Sequence, residues 1–118
     1  MNTEQLLKQL NTDPESVSFN QVIDTITADY NYTASRFTNG NGESMAINEA
    51  GSNEGSCKIF AFAQLNNLNP DQTLQCFGDY YRKDVLQNPD ATDHANIRNF
   101  IAHGWQGIHF DSVALSKK

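Results

Sequence analysis

Apolar positions recur at helical spacing in several stretches of this chain, separated by polar, glycine-bearing breaks. Leu6, Leu7 and Leu10 form the first stretch, behind Thr3 as the expected cap and before Asp13-Pro14 as its stop. Phe19, Val22, Ile23, Ile26 and Tyr30 form the second. They follow Ser18 and Gln21, the two ends of a capping box, so the spacing predicts an amphipathic helix. Beyond Tyr30 the pattern changes. Residues 33–38 and 45–48 flank Asn39-Gly40-Asn41-Gly42, and Asn-Gly pairs favour turns with positive φ, which predicts a hairpin. Residues 57–68 are apolar on nearly every face. They read as a buried helix, with a buried strand over 59–63 as the alternative; length and alanine content favour the helix. Asn69-Pro70 supplies a cap and a first helical residue for a helix carrying Leu74, Phe77, Gly78, Tyr81 and Val85 on one face, broken at Asn88-Pro89-Asp90. A last helix is expected from residue 92 or 93 to 103, with Gly104 as its stop. The alternation over residues 107–111 predicts a short strand that joins the hairpin. Together these predict one α+β domain over residues 1–118, mostly helical with about five helices and a small antiparallel sheet built on the hairpin.

The bulk numbers narrow the class. A chain of 118 residues suits one domain with a real core and no need of disulfide or metal staples. Hydrophobic residues make up 38% and charged residues 19%, so the polarity comes chiefly from Asn, Gln, Ser and Thr. A formal net charge of -6 repels phosphate backbones and anionic bilayers, so neither nucleic acid nor a membrane is an expected partner. No run approaches the ~20 apolar residues that span a bilayer. The N-terminus lacks the basic and apolar regions of a secretory signal, and two cysteines, Cys57 and Cys76, fit reduced thiols of a cytoplasmic protein.

The chemistry concentrates in residues 48–58, a polar loop that enters the most apolar segment. Ser56 is placed as a helix cap, which sets Cys57 in the first turn, where the helix dipole favours a thiolate. Cys57, His94 and Asp93 are then the residue types of a thiol nucleophile, its base and an orienting acid. The competing reading makes Cys57 a small core residue, His94 a packed residue on the face of Ile97 and Ile101, and Asp93 a stabiliser of a first helical turn. Tyr80, Arg82, Arg98 and Trp105, with Glu49, Asn53 and Lys58 of the loop, are candidates to bind a carboxylate or phosphate through an aromatic and cationic pocket. The structural alternative pairs Arg82 with Asp79 or Asp84, and Arg98 with Glu49 or Glu54. No metal is expected, because His94, His103 and His109 form no short ligand motif. No cofactor is expected either: the Gly51/Gly55 loop lacks the Gly-Lys-Ser/Thr ending of a phosphate loop.

Long ordered blocks give the chain a family likeness. They include Asn48-Glu49-Ala50-Gly51, Gly55-Ser56-Cys57-Lys58, Phe60-Ala61-Phe62-Ala63, Cys76-Phe77-Gly78 and Tyr80-Tyr81-Arg82. They continue through Asp84-Val85-Leu86, Pro89, Asp93-His94, Asn96-Ile97-Arg98-Asn99-Phe100, Gly104-Trp105 and Gly107-Ile108. On these residues the chain resembles the HopJ family, named for a type III effector of plant-pathogenic bacteria. The resemblance implies a bacterial protein, resident in the cytoplasm or, as the alternative, delivered into a host cell by type III secretion. It implies no reaction, cofactor or catalytic set. The ordered amphipathic helix expected at the N-terminus is unlike a flexible, Ser/Thr-rich export signal. The expected function is therefore a non-catalytic binding domain for a partner protein or a small anionic ligand. The alternative is a small thiol-dependent hydrolase or transferase using Cys57 and His94.

Overall fold

Side-chain caps fix where the first helices begin. In the computed structural model, which describes residues 2–118, Asn2 and Gln5 form a capping box, so Asn2 and not Thr3 is the cap and α1 (Thr3–Thr12) starts one residue earlier than expected. Thr3 instead donates its amide and its hydroxyl to Asp29 Oδ2, at 2.7 and 2.6 Å, tying α1 to the end of α2 (Phe19–Asp29). The Ser18–Gln21 capping box opens α2 as the sequence predicts. Leu6, Leu10, Val22 and Ile26 from these two helices enter the core.

The chain then makes β1 (Tyr30–Tyr32), β2 (Phe37–Asn39) and β3 (Ala46–Asn48) before α3 (Glu54–Leu65). The helical reading of the apolar segment holds, and α3 is the central element: Cys57, Ile59, Phe60, Ala61, Phe62 and Ala63 are all buried. Phe60 meets the rings of Phe37, Phe77, Phe100 and Trp105. After α3 come α4 (Pro70–Gln75), α5 (Ala95–His103), β4 (His109–Phe110) and β5 (Leu115–Lys117). The hairpin is present, with Phe37 opposite Asn48 and Thr38 opposite Ile47. Its connection is a 3-10 turn at Gly42–Ser44 rather than a tight two-residue turn. The C-terminal strand β4 joins β2 as expected, giving the order β3-β2-β4. A separate two-stranded pair, β1 with β5, was not expected. The molecule is thus an α+β domain, mostly helical, with small antiparallel sheets.

Two helices depart from the sequence reading. The single helix expected from Pro70 to Val85 is interrupted after Gln75, and Gly78 adopts φ +61. A Cβ on Gly78 would stand 2.7 Å from the Phe19 backbone nitrogen, so only glycine lets this turn lie against the start of α2. The chain resumes as a π-helical turn, Tyr80–Val85, in which the Leu86 amide reaches back to the Tyr81 carbonyl. The last helix also begins later than expected, at Ala95, because His94 sits in the left-handed region at φ 52. Gly104 ends it, as the sequence predicts. Among the described residues, no helix is long and apolar enough to cross a membrane.

Candidate functional site

Helices α3 and α5 start in the same unusual way. Asn53 precedes α3 at φ 51, ψ 47, and His94 precedes α5 at φ 52, ψ 50, and neither side chain caps its helix. Asparagine and histidine are among the few residues with a side chain that visit this region readily. Both side chains are engaged elsewhere. Asn53 Nδ2 donates to Asn48 Oδ1 at 2.7 Å, and His94 Nε2 lies 3.0 Å from Asp84 Oδ2. The first amides of both helices are therefore left without a side-chain acceptor.

An asparagine network joins the two starts. Asn48 and Asn96 exchange amide hydrogen bonds, Asn48 Nδ2 donating to Asn96 Oδ1 at 3.1 Å and Asn96 Nδ2 donating to Asn48 Oδ1 at 2.9 Å. Asn39 Nδ2 adds bonds to the Asn96 carbonyl and to Asn96 Oδ1. Asn39, Asn48 and Asn96 are all buried, so their bonds hold β2, β3 and the first turn of α5 in one register, although Asn39 Oδ1 itself finds no partner.

These pieces enclose a cleft of about 610 Å³. Its polar side is Asn48, Asn53, Ser56, His94 and Asn96, and its apolar side is Phe19, Ile47, Phe77 and Tyr80. Tyr80, from the start of the π-helical turn, packs edge-on against Phe19 at 5.1 Å and lies 5.4 Å from the His94 ring. Asp84, from the same turn, is the carboxylate that orients His94; Asp93 is further away, at 3.8 Å. The turn thus supplies both an aromatic wall and the histidine's partner.

The sequence candidates fall in several places. Asn53, Tyr80 and His94 line the cleft. Cys57 does not, and the structure does not bring it to His94: it is 1% exposed, with Sγ 3.8 Å from the Ser35 carbonyl oxygen. The reason is the start of α3 at Glu54, which makes Asn53 the cap and spends the Cys57 amide on the Asn53 carbonyl at 3.0 Å. Burial pushes the Cys57 thiol up, opposite to the shift expected from a first-turn position. Ser56 is correspondingly not a cap but faces the cleft.

The expected aromatic and cationic pocket is not assembled. Arg82 donates to Gln75 Oε1 and to the carbonyls of Pro14 and Val17, bracing the π-helical turn against the loop before α2. Its expected acidic partners are used by others, Asp79 by Lys83 and Asp84 by His94. Arg98 binds Asp93 Oδ1 at 2.7 Å and the carbonyls of Asn88 and Pro89, a local clamp that leaves Glu49 and Glu54 aside. That bond holds the Asp93 carboxyl below its usual range. Glu49 meets Arg36 at 3.4 Å, and Lys58 lies 4.7 Å from the Tyr32 ring centroid. Trp105 donates Nε1 to the Leu68 carbonyl and packs on Phe60 and Phe100.

Sequence reasoning missed Phe19, Asn48, Asn96 and Asp84 as parts of one site. Asn96 carried a readable signal, a polar amide one residue before Ile97 on a helix with an apolar face. The others converge only through tertiary packing. Among the described residues, no group of three or more His, Cys, Asp or Glu is placed to hold a metal ion.

The family described as HopJ type III effector protein matches residues 3–115. No curated protein matches the chain. A crystal structure of the unknown-function protein VPA0580 is similar at 47% identity with a TM-score of 0.95, over 100% of this chain and 95% of that one.

Proposed function

The chain belongs to the HopJ type III effector family, and on that footing we propose that it is a non-catalytic binding domain whose cleft holds a small anionic ligand. One observation carries the reading: two helix N-termini, neither capped by a side chain, open into the same cleft beside His94. Each such terminus presents unpaired amides and ~+0.5 elementary charge, so the pair offers on the order of one positive charge without a lysine or arginine. The volume of about 610 Å³ lies within the range of small-molecule sites. The overall charge of -6 opposes anions only at long range, where salt screens it over ~8 Å. Of the nearby carboxylates, Asp84 is committed to His94 and Asp93 to Arg98, while Glu54 stands in the first turn of α3 itself.

The thiol-dependent alternative lacks comparable support. A nucleophile needs an accessible thiolate, and Cys57 is buried, raised in pKa and surrounded by Tyr32, Ser35 and Glu54 instead of His94. On location, the family description favours delivery into a host cell through type III secretion over residence in the bacterial cytoplasm. A translocation reporter fused to the chain should signal inside host cells only when the secretion apparatus is functional.

The ligand reading is tested by calorimetric titration of inorganic phosphate into the wild type and Ser56→Asp. Ser56 faces the cleft at the third position of α3. An aspartate there supplies its own anion to the amides and suits the helix dipole. Ser56→Asp should therefore abolish phosphate binding while leaving the thermal midpoint unchanged or higher. Phosphate binding that survives the substitution, or that is absent from the wild type, would count against the site.

A further inference from the structure

Building on the reading of the cleft as an anion site, we propose that its occupant bears the acidic group on a planar unsaturated ring, and that Tyr80 is the residue that selects for the ring. Tyr80 is 45% exposed, unusual for an aromatic side chain that already packs against two others. It meets Phe19 edge-on, with an interplanar angle of 81°, and the His94 ring at 44°. These contacts fix its orientation before any ligand arrives, so stacking on it costs little side-chain freedom. Phe19 and Phe77 extend the same apolar side of the cleft. The wall that lies against the helix starts, Phe19 beside Gly55 and Tyr80 beside His94, is thus largely aromatic.

The polar side argues in the same direction by what it withholds. Asn48 Oδ1 accepts from both Asn53 and Asn96, and Asn96 Oδ1 accepts from both Asn39 and Asn48. With these amides spent on one another, the floor has few groups left for a hydroxyl-rich body such as a sugar. The donors left for a ligand are the helix-start amides and the Ser56 hydroxyl, which has no hydrogen-bond partner among the described residues, with the His94 ring nitrogen that Asp84 does not use beside them. They sit together and suit one acidic group, while the aromatic wall suits a flat remainder. An aryl or heteroaryl phosphate or carboxylate meets both demands.

The test compares three probes on the intact chain: inorganic phosphate, phenyl phosphate and cyclohexyl phosphate. Phenyl phosphate should bind about threefold to tenfold tighter than either of the others, the usual scale of a ring–ring contact. Tyr80→Phe should keep that preference and Tyr80→Leu should bring the ratio toward one. If phosphate binds but the ring adds nothing, or cyclohexyl phosphate matches phenyl phosphate, the ring selectivity is wrong and the anion site stands. If no probe binds the wild type, both readings fail. Should Tyr80→Leu not fold, the wild-type probe series and Tyr80→Phe still decide the matter.

Discussion

Asn96 is a buried polar residue at the centre of a side-chain network. It exchanges two amide bonds with Asn48 and accepts from Asn39, all at buried positions. Asn96→Ala should cost roughly 1–2 kcal/mol, the net worth of the side-chain bonds lost, because Asn39 keeps the Asn96 carbonyl and Asn48 keeps the Phe37 carbonyl and Asn53. Denaturant melts measure this, and a midpoint within error of the wild type would mean the network relaxes onto water. Cys76 gives a residue-scale pH prediction. Burial holds its thiol protonated, pushing its pKa up from 9.0 to about 12. The unfolded thiol ionises first as pH rises, so this contribution to stability is complete below pH 9.0 and declines toward about 12. Cys76→Ala should therefore flatten the alkaline loss of stability measured by melts across that window; an unaltered slope would place the cause elsewhere. At this scale the sequence named Asn53, Tyr80 and His94 by residue type alone. It misjudged Cys57 because the cap lies at Asn53, three residues earlier than Ser56. Asn53 and Ser56 are both residue types that cap helices, and the left-handed backbone that decides for Asn53 is not visible in the sequence.

At the scale of elements, local rules worked where side chains make the cap. The box at Ser18–Gln21 and the cap at Asn69 are present where the sequence places them, and Gln72 completes a second box that the sequence reading did not name. Ser18→Ala should cost ~1 kcal/mol by loss of its bond to the Gln21 amide. Ser56→Ala should cost almost nothing, because Ser56 caps no helix. Equal losses for the two variants would move the start of α3 back to Ser56. The break after α4 was hidden because the spacing of Leu74, Phe77, Tyr81 and Val85 survives a π-helical turn that inserts a residue without changing which side faces the core. Gly78→Ala should destabilise by at least ~1–2 kcal/mol, combining a left-handed φ with a Cβ 2.7 Å from the Phe19 nitrogen. Gly42→Ala, also at positive φ but with no atom within 4 Å, should cost less. Strands β1 and β5, three residues each, are too short to show alternation, which is why their pairing was not foreseen.

At the scale of the molecule, the sequence was sufficient for the class but not for the assembly of the site. Amphipathic spacing, caps and the Asn-Gly hairpin make a mostly helical α+β domain legible from local pattern. The cleft needs the opposite kind of information. Its walls come from α2, β3, α3, the π-helical turn and α5, and they meet only because the asparagine network and the Gly78 turn bring them together. The central claim is that the starts of α3 and α5 act as one anion site. Amide chemical-shift changes during a titration of inorganic phosphate into isotope-labelled protein read this directly. The amides of Gly55 and Ser56 on α3 and of Ala95 and Asn96 on α5 should shift together and saturate with one dissociation constant. Shifts confined to one of the two helices, or centred on surface cations such as Arg36, would contradict it.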